Sequence, residues 1–320
     1  MRRVIALYFL TAMSQQSFDP GLTQKYSGTI RRIINKDGSF NVRRRRLTLR
    51  NLNFYQHLIN ISWTRFLTLV LLFYVLINAL FAVLYLLVGI ETLKGAEVGT
   101  LLDAFLSAFF FSVHTFTTVG YGSIAPTGTW ANLLAVLEAL VGWLSLALAA
   151  GLFYGRFSRP SARVIFSSQA IIAPYQDKTS LQFRLANQRT NLLMEMEAKL
   201  VLMTVEDVKG NLQRKYYDLK LERANIHFFP LTWTVVHPID QNSPLFGRKS
   251  DDLAALQAEI MILIKGFDDT FSQVVHARFS YRYDELIWGA RFVPIFFTDQ
   301  QGDLILELDR IDQTERVSLD

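Results

Sequence analysis

The residues best suited to chemistry in this chain form one short stretch, 117–122, with the sequence Thr-Thr-Val-Gly-Tyr-Gly. Glycine adopts positive φ angles without the steric penalty that other residues meet. With Gly120 and Gly122 in place, left- and right-handed residues can alternate, so that successive carbonyl groups face one side. These carbonyls, with the Thr118 hydroxyl, could replace the water shell of a potassium ion. The candidate selectivity filter is Thr118, Val119, Gly120, Tyr121 and Gly122, with potassium held at the first four.

Such a filter requires more than one copy of the chain. Each chain supplies one carbonyl per layer of ligands, so a closed ring needs several chains around an axis. Filters of this kind use four loops, which predicts a homotetramer. Gly-Tyr-Gly alone is usually a turn in a soluble protein. Here the whole stretch lies between two apolar segments, and this position makes it a specific indication of a filter. The alternative is a re-entrant loop without a role in conduction.

Two long apolar segments flank the stretch and are predicted to span a membrane. Residues 66–90 carry no charge, and a span needs about 20 apolar residues. Residues 130–153 form the predicted inner helix, in which Glu138 is the single charged residue. An acid at this depth faces protein or water, so we expect it to form a hydrogen bond behind the filter. Residues 101–117 are predicted to form a short pore helix that begins near Asp103.

Asn78, His114 and Gly142 are three further residues of these helices with predicted roles in helix packing or hydrogen bonding. Asn78 is the strongly polar residue of the first span and is expected to form a hydrogen bond between helices. His114 could touch the back of the filter, but we expect an ordinary packing residue. Gly142 is either a bend point or a small residue that allows close helix packing.

A four-residue period on the inner helix defines a candidate gate. Leu146, Ala150 and Tyr154 recur on one face of this helix. If that face lines the ion path, Leu146 and Tyr154 form apolar or bulky rings that can close a pore by dewetting. The alternative is that this face packs against lipid or another helix.

Basic residues are concentrated next to the spans. Between residues 31 and 65, nine Lys and Arg residues stand against the single acid Asp37. Beside a membrane span, such charges indicate a cytoplasmic flank attracted to anionic lipid; nucleic acid is the weaker alternative, because no nucleic-acid-binding fold accompanies the run. Residues 53–63 are predicted to be an interfacial helix with Phe54, Leu58 and Ile61 in one stripe. The charge bias places both termini in the cytoplasm of a multi-pass protein of the cell membrane.

The first 30 residues do not fit this scheme. Met1-Arg2-Arg3 and the apolar residues 4–13 resemble a secretory signal, but the apolar part is short. We expect instead a disordered tail or an early start, with Met13 as the alternative first residue.

The hydrophobic period changes from helical to two beyond Pro160, which is typical of strands. Several short strands punctuated by Gly and Pro predict a β-sandwich, with one helix near residues 251–259. Strands are expected at residues 181–185, 199–205, 228–236, 260–264 and 292–297. The absence of cysteine excludes disulfides and thiolate metal sites. No nucleotide loop, metal-ligand spacing or catalytic triad occurs, and His227, His237 and His276 are explained as packing residues. We therefore expect neither an enzyme nor a cofactor, with potassium only as the permeant ion.

Taken together, the chain over residues 31–310 resembles the prokaryotic inward-rectifier potassium channels. The motifs that carry the resemblance are residues 32–39, the Ser62-Trp63 junction, 118–122, 156–160, 183–187, 233–240, 276–278 and 284–289. It implies a two-helix pore with a re-entrant pore helix, followed by an immunoglobulin-like cytoplasmic β-sandwich. The expected domains are a basic segment at 1–50, an interfacial helix at 51–64, a transmembrane pore domain at 65–157 and the β-sandwich at 158–320.

The resemblance also implies roles for single residues. Leu146 stands where rectifying members place an acid that attracts magnesium and polyamines, which puts strong block at this site in doubt. Tyr154 falls at the constriction where the inner helices cross, and residues 273–276 at a loop that narrows the cytoplasmic entrance. Arg156, Arg159 and Arg163 fall among residues that contact lipid phosphates. Together with Arg65 they are the candidate lipid contacts, and anionic lipid is expected to inhibit.

The alternative function is a non-conducting, membrane-anchored protein whose β-domain senses a ligand. The filter sequence argues against it.

Overall fold

The computed structural model describes residues 19–26, 28, 32–42, 54–158 and 162–319. They belong to two compact units: a pore unit within Arg45–Arg159, and a β unit within Met1–Arg44 and Pro160–Asp320. Three sequence predictions lie outside the described residues: the signal-like segment at 1–13, the arginine run at 43–46 and Arg159.

The pore unit consists of helices joined by short connections. Its elements are α1 (Phe54–Asn60), α2 (Trp63–Val88), β1 (Leu93–Lys94), α3 (Leu101–Phe116), β2 (Ala125–Pro126) and α4 (Gly128–Phe157). By length and composition, α2 and α4 can each cross a membrane. The two predicted spans are therefore confirmed, although α4 is longer at both ends than predicted.

The short helix α3 begins at a capping box. The Thr100 hydroxyl accepts a hydrogen bond from the Asp103 backbone N–H, and the Asp103 carboxylate accepts one from the Thr100 N–H at 2.8 Å. A carboxylate in the first turn also complements the positive end of the helix dipole. The predicted place of Asp103 at the start of the pore helix is confirmed.

The β unit is a sandwich of two five-stranded sheets with two small pairs of strands beside it, β13 with β16 and β14 with β15. Its elements are β3 (Val164–Phe166), β4 (Ala170–Tyr175), β5 (Lys178–Asn187), β6 (Leu193–Val208), β7 (Asn211–Asp218), β8 (Asn225–Phe228), β9 (Thr232–Ile239), α5 (Ser250–Ala255), β10 (Glu259–Asp268), β11 (Gln273–Arg282), β12 (Leu286–Trp288), β13 (Ala290–Phe292), β14 (Phe296–Thr298), β15 (Leu304–Leu306) and β16 (Thr314–Arg316). One sheet has the order β11-β10-β6-β7, with β8 also paired to β6. The other has the order β12-β4-β5-β3, with β9 also paired to β5.

The core of the β unit lies between these two sheets. Phe183 of β5 and Val235 of β9 pack in one cluster with Ile262 of β10, from the opposite sheet. Along β9 every second residue is buried, as the period of two predicts. His237 is one of these inward residues, and it is satisfied by the Lys220 carbonyl at 2.6 Å and the Ser243 hydroxyl at 2.7 Å. Burial lowers its pKa, so it packs as a neutral side chain.

Four details of the predicted β unit are wrong. The single strand at residues 228–236 is two strands, because Pro230 between β8 and β9 cannot donate to a ladder. The strand at 292–297 is likewise divided between β13 and β14. Residues 273–276 begin β11 instead of forming a loop, and the turn lies at 269–272. The predicted helix at 251–259 is shorter, because Glu259 already belongs to β10.

The segment 32–42 is bound to the β unit through a buried carboxylate. Glu259 is 3% exposed and accepts hydrogen bonds from the backbone N–H groups of Ile33 and Ile34 at 2.9–3.2 Å. The Ser280 hydroxyl donates to the Ile34 carbonyl at 2.7 Å, and the Ile34 side chain enters an apolar cluster with Met261. The two basic side chains of this segment, Arg32 and Lys36, both form ion pairs with Glu285, so the segment is held by backbone, apolar and charged contacts.

Candidate ion-conduction site

The backbone of residues 118–122 alternates in handedness, as the two glycines predict. Thr118, Gly120 and Gly122 have φ angles of 58°, 59° and 79°, whereas Val119 and Tyr121 are not in the positive region. The sequence did not indicate the positive φ of Thr118, because such an angle is uncommon for a residue with a Cβ.

The N–H groups of this loop turn back toward the end of α3. The His114 carbonyl accepts hydrogen bonds from the backbone N–H groups of Val119 at 2.9 Å and Gly120 at 3.4 Å. Among the described residues, no hydrogen bond to a carbonyl of residues 118–122 occurs. The loop is therefore anchored through its donors, and its acceptors remain available for a cation.

The side chain of His114 contacts the loop directly. Its ring meets the Tyr121 ring edge to face, with centroids 4.9 Å apart. Of the two roles considered for His114, contact with the filter loop is the one observed, because the loop folds back over the last turn of α3. A separation of seven residues across a turn gives no periodic signal for this contact.

Close packing of α4 against the end of α3 fixes the same region. Gly142 is buried, and a Cβ built at this position would lie 2.3 Å from the Phe116 carbonyl oxygen. Of the two roles predicted for Gly142, close packing between helices is the one observed. The Tyr74 ring of α2 also contacts Phe116, edge to face at 5.8 Å.

Glu138 lies one turn before Gly142 and also contacts α3. It accepts hydrogen bonds from the Tyr85 hydroxyl at 2.7 Å and contacts the Ser112 hydroxyl of α3. Ser112 in turn lies 2.9 Å from the Asn78 side chain of α2, so the predicted hydrogen bond of Asn78 between helices is confirmed. The hydrogen bond expected for Glu138 exists, and its partners are helix side chains.

The outer side of the loop is held by a short ladder. Leu93 pairs with Pro126 and Lys94 with Ala125, and the Thr92 carbonyl accepts hydrogen bonds from the Thr127 N–H and hydroxyl at 2.7 and 2.9 Å. The segment that leads from the loop into α4 is thereby attached to the segment that follows α2.

The comparison with known proteins agrees with this geometry. Residues 69–159 match an ion channel family, and residues 164–320 match the inward rectifier potassium channel C-terminal domain. The chain is 43% identical to the inward rectifier potassium channel Kirbac3.1 of Paramagnetospirillum magnetotacticum, over 87% of this chain and 94% of that one. The chain belongs to the inward rectifier potassium channel family. It is thus a membrane ion channel and not an enzyme, as its sequence predicts.

Animal members are more distant. The human inward rectifier potassium channel 4 is 29% identical over 68% of this chain, and the bovine ATP-sensitive inward rectifier potassium channel 12 is 25% identical over 92%. The chain spans about half the length of the channel 4 relatives and 74% of the bovine channel 12. The similarity to animal members therefore leaves part of those proteins without a counterpart here.

The candidate gate residues share one face of α4. Leu146 and Tyr154 are 68% and 74% exposed, and Ala150 between them is exposed as well. This face is exposed, in contrast to the face that carries the buried residues Glu138 and Gly142. The four-residue period therefore describes a surface that a single chain leaves uncovered.

The candidate lipid contacts differ in their surroundings. Arg65 and Arg163 are exposed. The Arg156 guanidinium donates to the carbonyls of Leu58 at 2.5 Å and Ile61 at 2.8 Å, at the end of α1. It also lies 4.5 Å from the centroids of Trp63 and Phe66, a cation–π distance. Arg156 therefore fastens α1 to α4.

The face of α1 that packs against the protein differs from the predicted apolar stripe. Phe54 of that stripe is 73% exposed in the single chain, and the buried residue of α1 is Ile59. Ile59 and Tyr55 approach Gly155 of α4, where an added Cβ would lie 2.8 Å from the Tyr55 hydroxyl oxygen. The partner surface on α4 selects this face, and hydrophobicity along α1 alone does not reveal it.

Replacing Gly142 by alanine tests the packing behind the filter. The added methyl group collides with the Phe116 carbonyl, and overpacking of this kind costs about 1–3 kcal/mol. We expect lower thermal stability of the purified channel and reduced potassium flux. Gly151→Ala is the control, because a Cβ at that position of α4 meets no atom within 4 Å. Equal behaviour of the two variants would contradict the assigned contact.

Proposed function

We propose that four copies of this chain form a passive, potassium-selective channel in the cell membrane, with residues 118–122 as its filter. The observation that carries the proposal is the alternating handedness of this loop, with its N–H groups bonded to α3 and its carbonyls unused. Carbonyl rings can replace the hydration shell of potassium without a charged ligand. The carboxyl end of α3, which leads directly into the loop, adds a favourable partial negative charge.

Symmetry supports the assembly. One loop offers one oxygen per layer, so the coordination shell is complete only when the loops of several chains surround an axis. Val119 and Tyr121 are 50% and 75% exposed in a single chain, and neighbouring copies would cover them. Both termini would lie in the cytoplasm, because the basic residues flank the cytoplasmic ends of the spans.

Flux from reconstituted channels tests selectivity. We expect vesicles with the purified protein to pass potassium at least about tenfold faster than sodium. Gly120→Ala should abolish that difference, because a Cβ penalises the positive φ of this position. Gly210→Ala is the control, since Gly210 also has a positive φ but lies in a β-unit turn. Equal potassium and sodium flux through the unaltered protein would refute the proposal and favour a non-conducting protein.

The gate is assigned to Leu146 and Tyr154. Four copies of each side chain would form two rings along the path, and such constrictions block ions when water leaves them. Arg156 connects α4 to α1, so a displacement of the interfacial helix would act on the inner helix through the guanidinium and the carbonyls that it binds.

A charge placed at Leu146 tests whether this position faces the path. In Leu146→Asp, four carboxylates would attract a polyamine, with about 1 kcal/mol per charge pair at 4 Å even in water. We expect spermine inside the vesicles to lower potassium flux about tenfold or more in this variant. Leu146→Asn is the matched control without charge and should be insensitive. If spermine leaves Leu146→Asp unaffected, the side chain does not line the cavity.

Anionic lipid is proposed as an inhibitory modulator that acts through basic residues at the ends of the spans. Arg65 and Arg163 present exposed guanidinium groups, and Arg159 is expected to belong to the same set. Arg156 would contribute through its hold on α1, because its donors already serve backbone carbonyls.

Neutralising the exposed arginines tests this regulation. Each basic residue near an anionic surface contributes about 1 kcal/mol, so Arg65→Gln with Arg163→Gln removes about 2 kcal/mol of attraction. We expect the double variant to need a higher fraction of anionic lipid for the same inhibition of potassium flux. Arg316→Gln, at an exposed position of β16, serves as the control. An unshifted lipid response in the double variant would exclude these two contacts.

A further inference from the structure

Four polar side chains meet in the interior of the pore unit. Asn78 and Tyr85 of α2, Ser112 of α3 and Glu138 of α4 are each 0% exposed. Among the described residues, no Lys, Arg or His forms an ion pair with Glu138. A buried carboxylate without a cationic partner is energetically costly. The hydrogen bonds of the cluster therefore have to show whether Glu138 carries a proton.

The Asn78 side chain has one possible orientation. Its amide nitrogen lies 2.7 Å from the Tyr74 carbonyl oxygen, which can only accept a hydrogen bond. The NH2 group must therefore point to Tyr74. The amide oxygen consequently faces the Ser112 hydroxyl at 2.9 Å, and it too can only accept.

Ser112 has one hydroxyl proton and two neighbours that would each accept it. One neighbour is the Asn78 amide oxygen, and the other is the Glu138 carboxyl oxygen Oε1. With an ionised carboxylate, one of these contacts would bring two oxygen atoms together without a proton between them. The Tyr85 hydroxyl cannot supply it, because that hydroxyl donates to the other carboxyl oxygen, Oε2.

We propose that Glu138 is protonated and acts as a positioning residue for the filter. Its carboxylic acid donates to Ser112, Ser112 donates to Asn78, and Asn78 donates to the Tyr74 carbonyl. Tyr85 donates to the second carboxyl oxygen. Each contact among these side chains then holds one proton, and no charge is buried.

The position of the cluster relates it to the filter, and this part of the inference rests on the proposed function. Glu138 and Gly142 lie one turn apart on α4, and their contacts Ser112 and Phe116 lie one turn apart on α3. These two contacts bracket His114, whose carbonyl holds the N–H groups of the loop. The neutral acid therefore sets the place of α3 relative to both spanning helices.

Infrared difference spectroscopy tests the protonation state without reference to conduction. Spectra of the full channel in lipid vesicles at neutral pH are compared with those of Glu138→Gln. We expect the unaltered protein to show the carbonyl band of a buried carboxylic acid, and the variant to lack it. Glu97→Gln, a change of an exposed acid, should retain the band. If the Glu138→Gln difference shows a carboxylate band in place of the acid band, the proposal is wrong.

Selectivity of substituted channels tests the positioning role. A glutamine at 138 can donate from its amide to Ser112 and accept from Tyr85, so it should keep the potassium-over-sodium ratio. Glu138→Ala and Ser112→Ala should lower that ratio about tenfold or more. An ordinary ratio in Ser112→Ala, or a Glu138→Gln channel as impaired as Glu138→Ala, would overturn the assignment. If the unaltered channel passes no potassium, the proposed function fails, and the infrared result still decides the protonation state.

Discussion

A loop at membrane depth must satisfy its backbone donors within the protein, and the rest of the pore unit depends on how it does so. The N–H groups of Val119 and Gly120 donate hydrogen bonds to the His114 carbonyl, and the carbonyl groups of the loop stay free to bind a cation. This arrangement requires the end of α3 to be fixed, and α4 fixes it through Gly142 and Glu138. The free carbonyl groups of the loop thus depend on how α2, α3 and α4 pack together.

Much of the pore unit follows from local sequence. Uninterrupted apolar segments predict α2 and α4, and Asp103 indicates the start of α3. The glycines predict the alternating loop. The face of α1 that packs on α4 could not be predicted, because it depends on a partner surface that is remote in sequence. For His114 the sequence left two roles open, because no periodic pattern links it to Tyr121.

The β unit was predictable as an architecture and less so in its boundaries. Alternating burial in β9 matches the pattern of its sequence, whereas the breaks at Pro230 and between β13 and β14 depend on how strands are shared among sheets. The role of Glu259 has no sequence signal. An acid at the first position of a strand is ordinary, and only the fold brings the backbone of Ile33 and Ile34 onto it.

The attachment of residues 32–42 to the β unit gives the chain an unusual order. The β unit contains residues from both sides of the pore unit, so the membrane portion is an insertion within it. Two covalent connections, after residue 42 and before residue 162, join the units. After a single proteolytic cut in either connection, the two units would consequently stay together. The uncut connection and the buried contacts of Ile34 would hold the two fragments.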